Sequence, residues 1–118
     1  MEFVAFVGTD QETWGQITAL LNRVDYEHAV LVVTKQAAGY PTNEKTQIII
    51  VDSEQSMVAL RDEMASKLKK AIGGEFEVML SLASGTGKEH MALLSALLNL
   101  PVGVKLVVYT KEGVQFLS

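Results

Sequence analysis

The residues best suited to chemistry lie in one short run, Ser84-Gly85-Thr86-Gly87-Lys88. Two glycines let a backbone approach a ligand closely and aim its N–H groups, and a helix starting here would add partial positive charge. Ser84 and Thr86 contribute hydroxyls, Lys88 a mobile cation, and His90 a ring nitrogen just beyond. Together they suit an anion, above all a phosphate. A second run, Gly8-Thr9-Asp10, follows the first apolar block and offers a glycine, a hydroxyl and a carboxylate.

Two familiar phosphate motifs do not fit. A P-loop, G-x-x-x-x-G-K-[ST], requires glycine where Leu82 stands and a hydroxyl where Glu89 stands; without that hydroxyl, magnesium lacks its first ligand. The dinucleotide fingerprint fails because only Gly8 follows the first strand, and the second ends in Thr34-Lys35 without an acid for a ribose. NTP hydrolysis and NAD binding are thereby set aside. Both runs also have a plainer reading. Thr9-Asp10-Gln11-Glu12 and Thr86-Gly87-Lys88-Glu89 each fit a capping box, with threonine as N-cap and glutamate three residues on. Such a cap stabilises a helix by about 1 kcal/mol whatever the function.

These runs need elements to place them. Phe3–Val7, Ala29–Val33 and Ile48–Val51 are apolar at every position, as strands covered on both faces are. Phe76–Leu82 and Val104–Tyr109 are further strands, and β-branched residues dominate three of the five. Helical spacing appears over Gln11–Arg23, Glu54–Ile72 and Lys88–Leu100, with Gly73-Gly74 ending the second and Pro101 and Gly103 the third. Met91–Leu98 is apolar apart from Ser95, so that helix is expected to be covered on more than one side. Thr34–Thr46 lacks a helical period and reads as a degenerate crossover or an ordered flap. Thr110–Gly113 followed by Val114–Leu117 suggests a hairpin and a short antiparallel edge strand.

This order predicts one α/β domain over residues 1–118. It is a Rossmann-like sandwich: a mostly parallel five-stranded sheet of order 3-2-1-4-5, the short edge strand beside the fifth, and helices on both faces. In open α/β sheets, ligands sit beyond the carboxyl ends of the strands where the winding reverses. Here that point falls between the first and fourth strands, which places Gly8-Thr9-Asp10 beside Ala83–Lys88.

Composition bounds the classes. The chain has 118 residues, a net charge of −4, two histidines and no cysteine, which leaves no disulfide framework, thiolate site or obvious metal cluster. Its apolar blocks are too short to span a bilayer, and Glu2 replaces the basic start of a signal peptide, so a cytoplasmic domain is expected. The acidic balance argues against broad binding to duplex nucleic acid. No cofactor is implied.

Leu82 through Met91, the small-residue and leucine-rich helix after it, and Pro101-Val102-Gly103-Val104 resemble the second signature of the CARF (CRISPR-associated Rossmann fold) family. In that family the fourth strand runs into a Ser/Thr-Gly-Gly-Thr-like loop and a small-residue helix with an early methionine, as Met91 is here. Thr86 splits the glycine pair in this chain. Gly8-Thr9-Asp10 sits where the first signature lies. The resemblance implies a homodimer that binds a cyclic oligoadenylate, a second messenger of type III CRISPR defence, across its two-fold axis. It further implies ligand contacts from Gly8, Thr9, Asp10, Ser84, Gly85, Thr86, Gly87, Lys88 and His90. Thr9 and Lys88 are the positional counterparts of residues that cleave the ring without metal in ring nucleases of the family. Such cleavage needs the ribose 2′-hydroxyl aligned with its phosphate and charge stabilised on the phosphorane.

A sensor alone would degrade the messenger, sequester it or serve a separate partner. Two other readings stand beside it: the ligand-sensing part of a transcriptional regulator whose DNA reader lies elsewhere, and a structural α/β dimerisation module. Among the remaining residues, Lys35 lies near the expected rim, and Tyr40 and Asn43 are candidates for a lid. Trp14 is read as core or dimer interface, Met57 and Met64 as core, His28 as structural, and Lys67, Lys69 and Lys70 as a solvated helix end.

Overall fold

Strands that are apolar at every position need cover on both faces, and the first two have it. In the computed structural model, which describes residues 1–72 and 77–118, β1 (Glu2–Val7) and β2 (Ala29–Thr34) are buried throughout. They form the centre of a six-stranded sheet with β3 (Thr46–Val51), β4 (Glu77–Ser81), β5 (Gly103–Thr110) and β6 (Gly113–Phe116). The strand order is β3-β2-β1-β4-β5-β6; the first five are parallel and β6 runs antiparallel to β5. This is the expected Rossmann-like order. Gly113, with φ of +100°, makes the tight turn into β6 that a side chain would strain.

Alternation along the strands sorts the core into two layers. Val4, Phe6, Val30, Val32, Val78 and Leu80 face α2 (Met57–Ile72) and α3 (Gly87–Leu98), which contribute Leu60, Met64, Leu93 and Leu97. Phe3, Ala5, Val7, Leu31 and Val33 face α1 (Trp14–Arg23) through Ile17 and Leu20. Helices therefore lie on both faces. The winding reverses between β1 and β4, whose carboxyl ends lie side by side.

Several boundaries differ from the periodicity. The first helix opens as a 3-10 turn over Gln11–Thr13 and becomes α-helical only at Trp14. Its first cap is Asp10, whose carboxylate accepts the Glu12 amide, so the capping box expected at Thr9 does not form. A carboxylate one residue later outcompetes the threonine hydroxyl for the exposed amides. The second helix starts at Met57, because Asp52–Gln55 fold into a bonded loop. The helix stop expected at Gly73-Gly74, and Phe76 of the fourth strand, lie outside the described residues.

The Thr34–Thr46 segment proves to be packed cover for the α1 layer. After a 3-10 turn at Lys35–Ala37, Tyr40 is buried edge-on against Trp14, with its hydroxyl 2.6 Å from Thr18. Burial pushes the Tyr40 phenol above its ordinary range, with the Thr18 hydrogen bond pulling the other way. Asn43 accepts the Lys45 amide and the Thr46 hydroxyl. Neither residue forms the lid expected of it. Among the described residues no helix is long and apolar enough to cross a membrane.

Candidate functional site at the strand carboxyl ends

The two glycine-bearing turns converge as the winding requires. The Gly8 amide donates to Ser84 Oγ at 2.9 Å, and a Cβ built on Gly8 would lie 2.8 Å from the Gly85 Cα. Gly85 takes φ of +106°, where a side chain is strained, and its own Cβ would strike the Phe6 ring at 2.7 Å. Backbone meets backbone here, and only glycine fits on either side.

A chain of hydrogen bonds locks the junction. Thr13 Oγ1 lies 2.7 Å from Ser84 Oγ and 2.7 Å from the Asp10 carbonyl. A carbonyl only accepts, so the protons run from Gly8 N–H to Ser84, from the Ser84 hydroxyl to Thr13, and from Thr13 to Asp10. Trp14 donates its indole N–H to the Gly8 carbonyl at 2.8 Å. The residue read as core or interface thus clamps the β1–α1 turn. His90 Nε2 lies 2.6 Å from the Ser84 carbonyl and holds the other turn.

Thr86 forms its capping box in full. Its hydroxyl accepts the Glu89 amide, and Glu89 Oε1 accepts the Thr86 amide at 2.8 Å. The other oxygen of this buried carboxylate accepts the Ser53 hydroxyl at 2.6 Å. Lys88 reaches the same β3–α2 loop: Nζ donates to the carbonyls of Ser53 (2.7 Å) and Gln55 (2.6 Å). The first turn of α3 therefore grips the loop through two consecutive side chains. From the far side, Glu63 accepts the Asp52 amide, the Gln55 side chain and Lys67, while Lys67 also donates to the Ile50 carbonyl. Lys67, exposed as a solvated helix end is, also ties the loop. Burial alone would raise the Glu63 carboxyl, but the hydrogen bonds from Lys67, Asp52 and Gln55 hold it below the usual range.

Beside these turns lies an open trough of about 600 Å³ over the carboxyl ends of β1, β2 and β3. Of the residues expected to bind ligand, Thr9 and Thr86 line it. Gly8, Ser84, Gly85 and His90 build the junction beneath, Asp10 caps the adjoining turn, and Gly87 is exposed at the start of α3. Lys88 is engaged with the loop that forms one wall. Lys35 lines the rim.

Thr34, Gln36, Asp52, Ser53, Glu54, Glu63 and Glu89 also line the trough, none of them a ligand contact expected from the sequence. One signal was present: Asp52-Ser53-Glu54 follows an apolar strand, and the rule that ligands sit beyond strand carboxyl ends applies to this third loop as well. Among the described residues, no group of three or more His, Asp or Glu side chains is placed to hold a metal ion. Neither a protein-family model nor a curated protein sequence matches this chain.

Proposed function

We propose that this chain is a sensor domain that binds a cyclic oligoadenylate as a homodimer, with slow metal-independent cleavage of the ring as a further activity to be tested. The observation that carries the reading is the meeting of Gly8 and Gly85 at the topological switch point. Thr9 and Thr86, both hydroxyl-bearing, line the adjoining trough. The first amides of α3, at Gly87 and Lys88, have no acceptor within their own helix and point their partial charge outward. A phosphodiester suits that setting.

The dimer draws support from α3. Ala92, Leu93, Ala96 and Leu97 are buried, whereas Met91 is 63% exposed and Leu98 69%, with Leu94 half-buried between them. These three sit at i, i+3 and i+7, one stripe of the helix that starts at the site. A second copy paired across that stripe by two-fold symmetry would bring two sets of turns to one symmetric ring.

Binding is better supported than cleavage. For Lys88 to stabilise a phosphorane, its amine must exchange at least one loop carbonyl for phosphate or use its third proton. A structural dimerisation module is the second reading, favoured by the internal bonding of Ser84, Lys88 and His90.

Calorimetry with cyclic tetra-adenylate separates the two. The sensor reading expects saturable heat at micromolar protein and a dimer by sedimentation; no heat, or a monomer at all concentrations, overturns it. Incubating the ring without metal, with the parent and with Lys88→Ala, tests cleavage. Equal product from both removes Lys88 from the chemistry.

A further inference from the structure

The trough beside the turns is unlike a phosphate site. Its lining carries four carboxylates, from Asp52, Glu54, Glu63 and Glu89, against one lysine, Lys35. Glu63 and Glu89 are occupied by their hydrogen bonds to the β3–α2 loop, but the Glu54 side chain has no partner among the described residues. Such a wall accepts hydrogen bonds and repels anions.

An independent observation comes from Thr34. It ends β2 paired with Val51, and strand alternation puts its side chain on the layer of Val32 and Val51, beneath the β3–α2 loop. Thr34 lines the trough with only 6% of its surface exposed, and its buried hydroxyl has no hydrogen-bond partner among the described residues. Leaving a buried hydroxyl unsatisfied is unfavourable, and such a group is normally partnered by a protein group, a water or a ligand.

We infer that this trough is a sugar subsite, in which Thr34 and Glu54 bind ribose hydroxyls of the nucleotide whose phosphate rests on the Gly8 and Gly85 turns. The inference rests on the sensor reading and adds to it a source of selectivity. The 2′-hydroxyl, both donor and acceptor, is the group by which a protein distinguishes ribonucleotide from deoxyribonucleotide. The unpartnered Thr34 hydroxyl and the Glu54 carboxylate match it in kind. The turns, which offer amides and hydroxyls to phosphate, would treat both sugars alike.

The test compares cyclic tetra-adenylate with its 2′-deoxy counterpart by calorimetry on the full chain. A site built to bond a hydroxyl rejects the analogue lacking it, so the parent is expected to favour the ribose ring by about ten-fold or more. Thr34→Val, which keeps the shape and removes the unpartnered hydroxyl, and Glu54→Gln, which removes an exposed charge, should each reduce that ratio to about three-fold or less. A melting temperature no lower than the parent's confirms that Thr34→Val is folded. If the parent binds both rings equally, or both variants keep the parent's ratio, the sugar subsite is wrong and the sensor reading stands. If neither ring binds the parent, the sensor reading fails and the subsite falls with it.

Discussion

The two turns at the switch point are held unequally. The β4–α3 turn is tied by its own residues: Gly85 in the left-handed region, the Thr86–Glu89 box, His90 on the Ser84 carbonyl, and Lys88 and Glu89 reaching to the β3–α2 loop. The β1–α1 turn has local ties at Asp10 and Trp14, but its Gly8 amide depends on Ser84 of the other turn. Thr9 is left exposed with no hydrogen bond among the described residues. The difference separates two uses of the same residue types. Serine, lysine and histidine in the richer turn build the platform, whereas the hydroxyls that face the trough come from its margins.

The comparison breaks most violently at the glycines. Gly85→Ala combines an unfavourable positive φ with a Cβ 2.7 Å from the Phe6 ring, and is expected to cost about 3 kcal/mol or more. Gly8→Ala has ordinary φ but presses on the Gly85 backbone, so about 2–3 kcal/mol is expected. Urea unfolding of both variants checks the order. A Gly85→Ala protein as stable as the parent would mean that the turns do not pack as described.

How much of this was legible in the sequence follows from what kind of interaction each feature needs. Strand order and the meeting of the turns follow from apolar periodicity and crossover handedness, and Gly8 against Gly85 is their direct consequence. The Thr86 box was legible because all its partners lie within four residues. The cap read at Thr9 falls one residue later, at Asp10, without a box, since Thr9 and Asp10 compete for the same amides and type alone does not rank them. Lys88 and His90 were legible as chemistry but not as ties, because their partners are backbone carbonyls, which no side-chain pattern reports. The trough was missed for a related reason. Thr34, Glu54 and Glu63 are far apart in sequence, and only the parallel register of β2 and β3 brings them together.

Ser84 sharpens the contrast between platform and margin. Its hydroxyl is fully buried and bonded on both sides, so Ser84→Ala leaves the Gly8 amide without an acceptor and should cost about 2 kcal/mol. Thr9→Val, at an exposed hydroxyl with no partner, should change stability by less than about 0.5 kcal/mol. Under the sensor reading it should nonetheless weaken binding of cyclic tetra-adenylate several-fold. Equal thermal stability for both variants would erase the distinction. So would equal ring affinity for Thr9→Val and the parent.

The smallest effect tests whether the β3–α2 loop is gripped from α2 as well as from α3. Because Lys67, Asp52 and Gln55 outweigh the effect of burial, the Glu63 carboxyl titrates lower in the folded chain than in the unfolded one. A carboxyl depressed in this way contributes its full stabilisation above its unfolded pKa, about 4.3, and loses it as pH falls through the lower folded value. Part of the fall in urea midpoint as pH drops below about 4.3 should therefore belong to this residue. Glu63→Gln keeps an oxygen for the Asp52 amide and removes the charge that meets Lys67. It should cost about 1 kcal/mol at pH 7, and less as pH falls through the folded value and the parent's carboxyl becomes protonated too. A constant difference between parent and variant across that range would show that the charge of Glu63 contributes nothing. The grip on the loop from α2 would then rest on neutral hydrogen bonds, leaving Lys88 and Glu89 to hold it through charged groups from the α3 side.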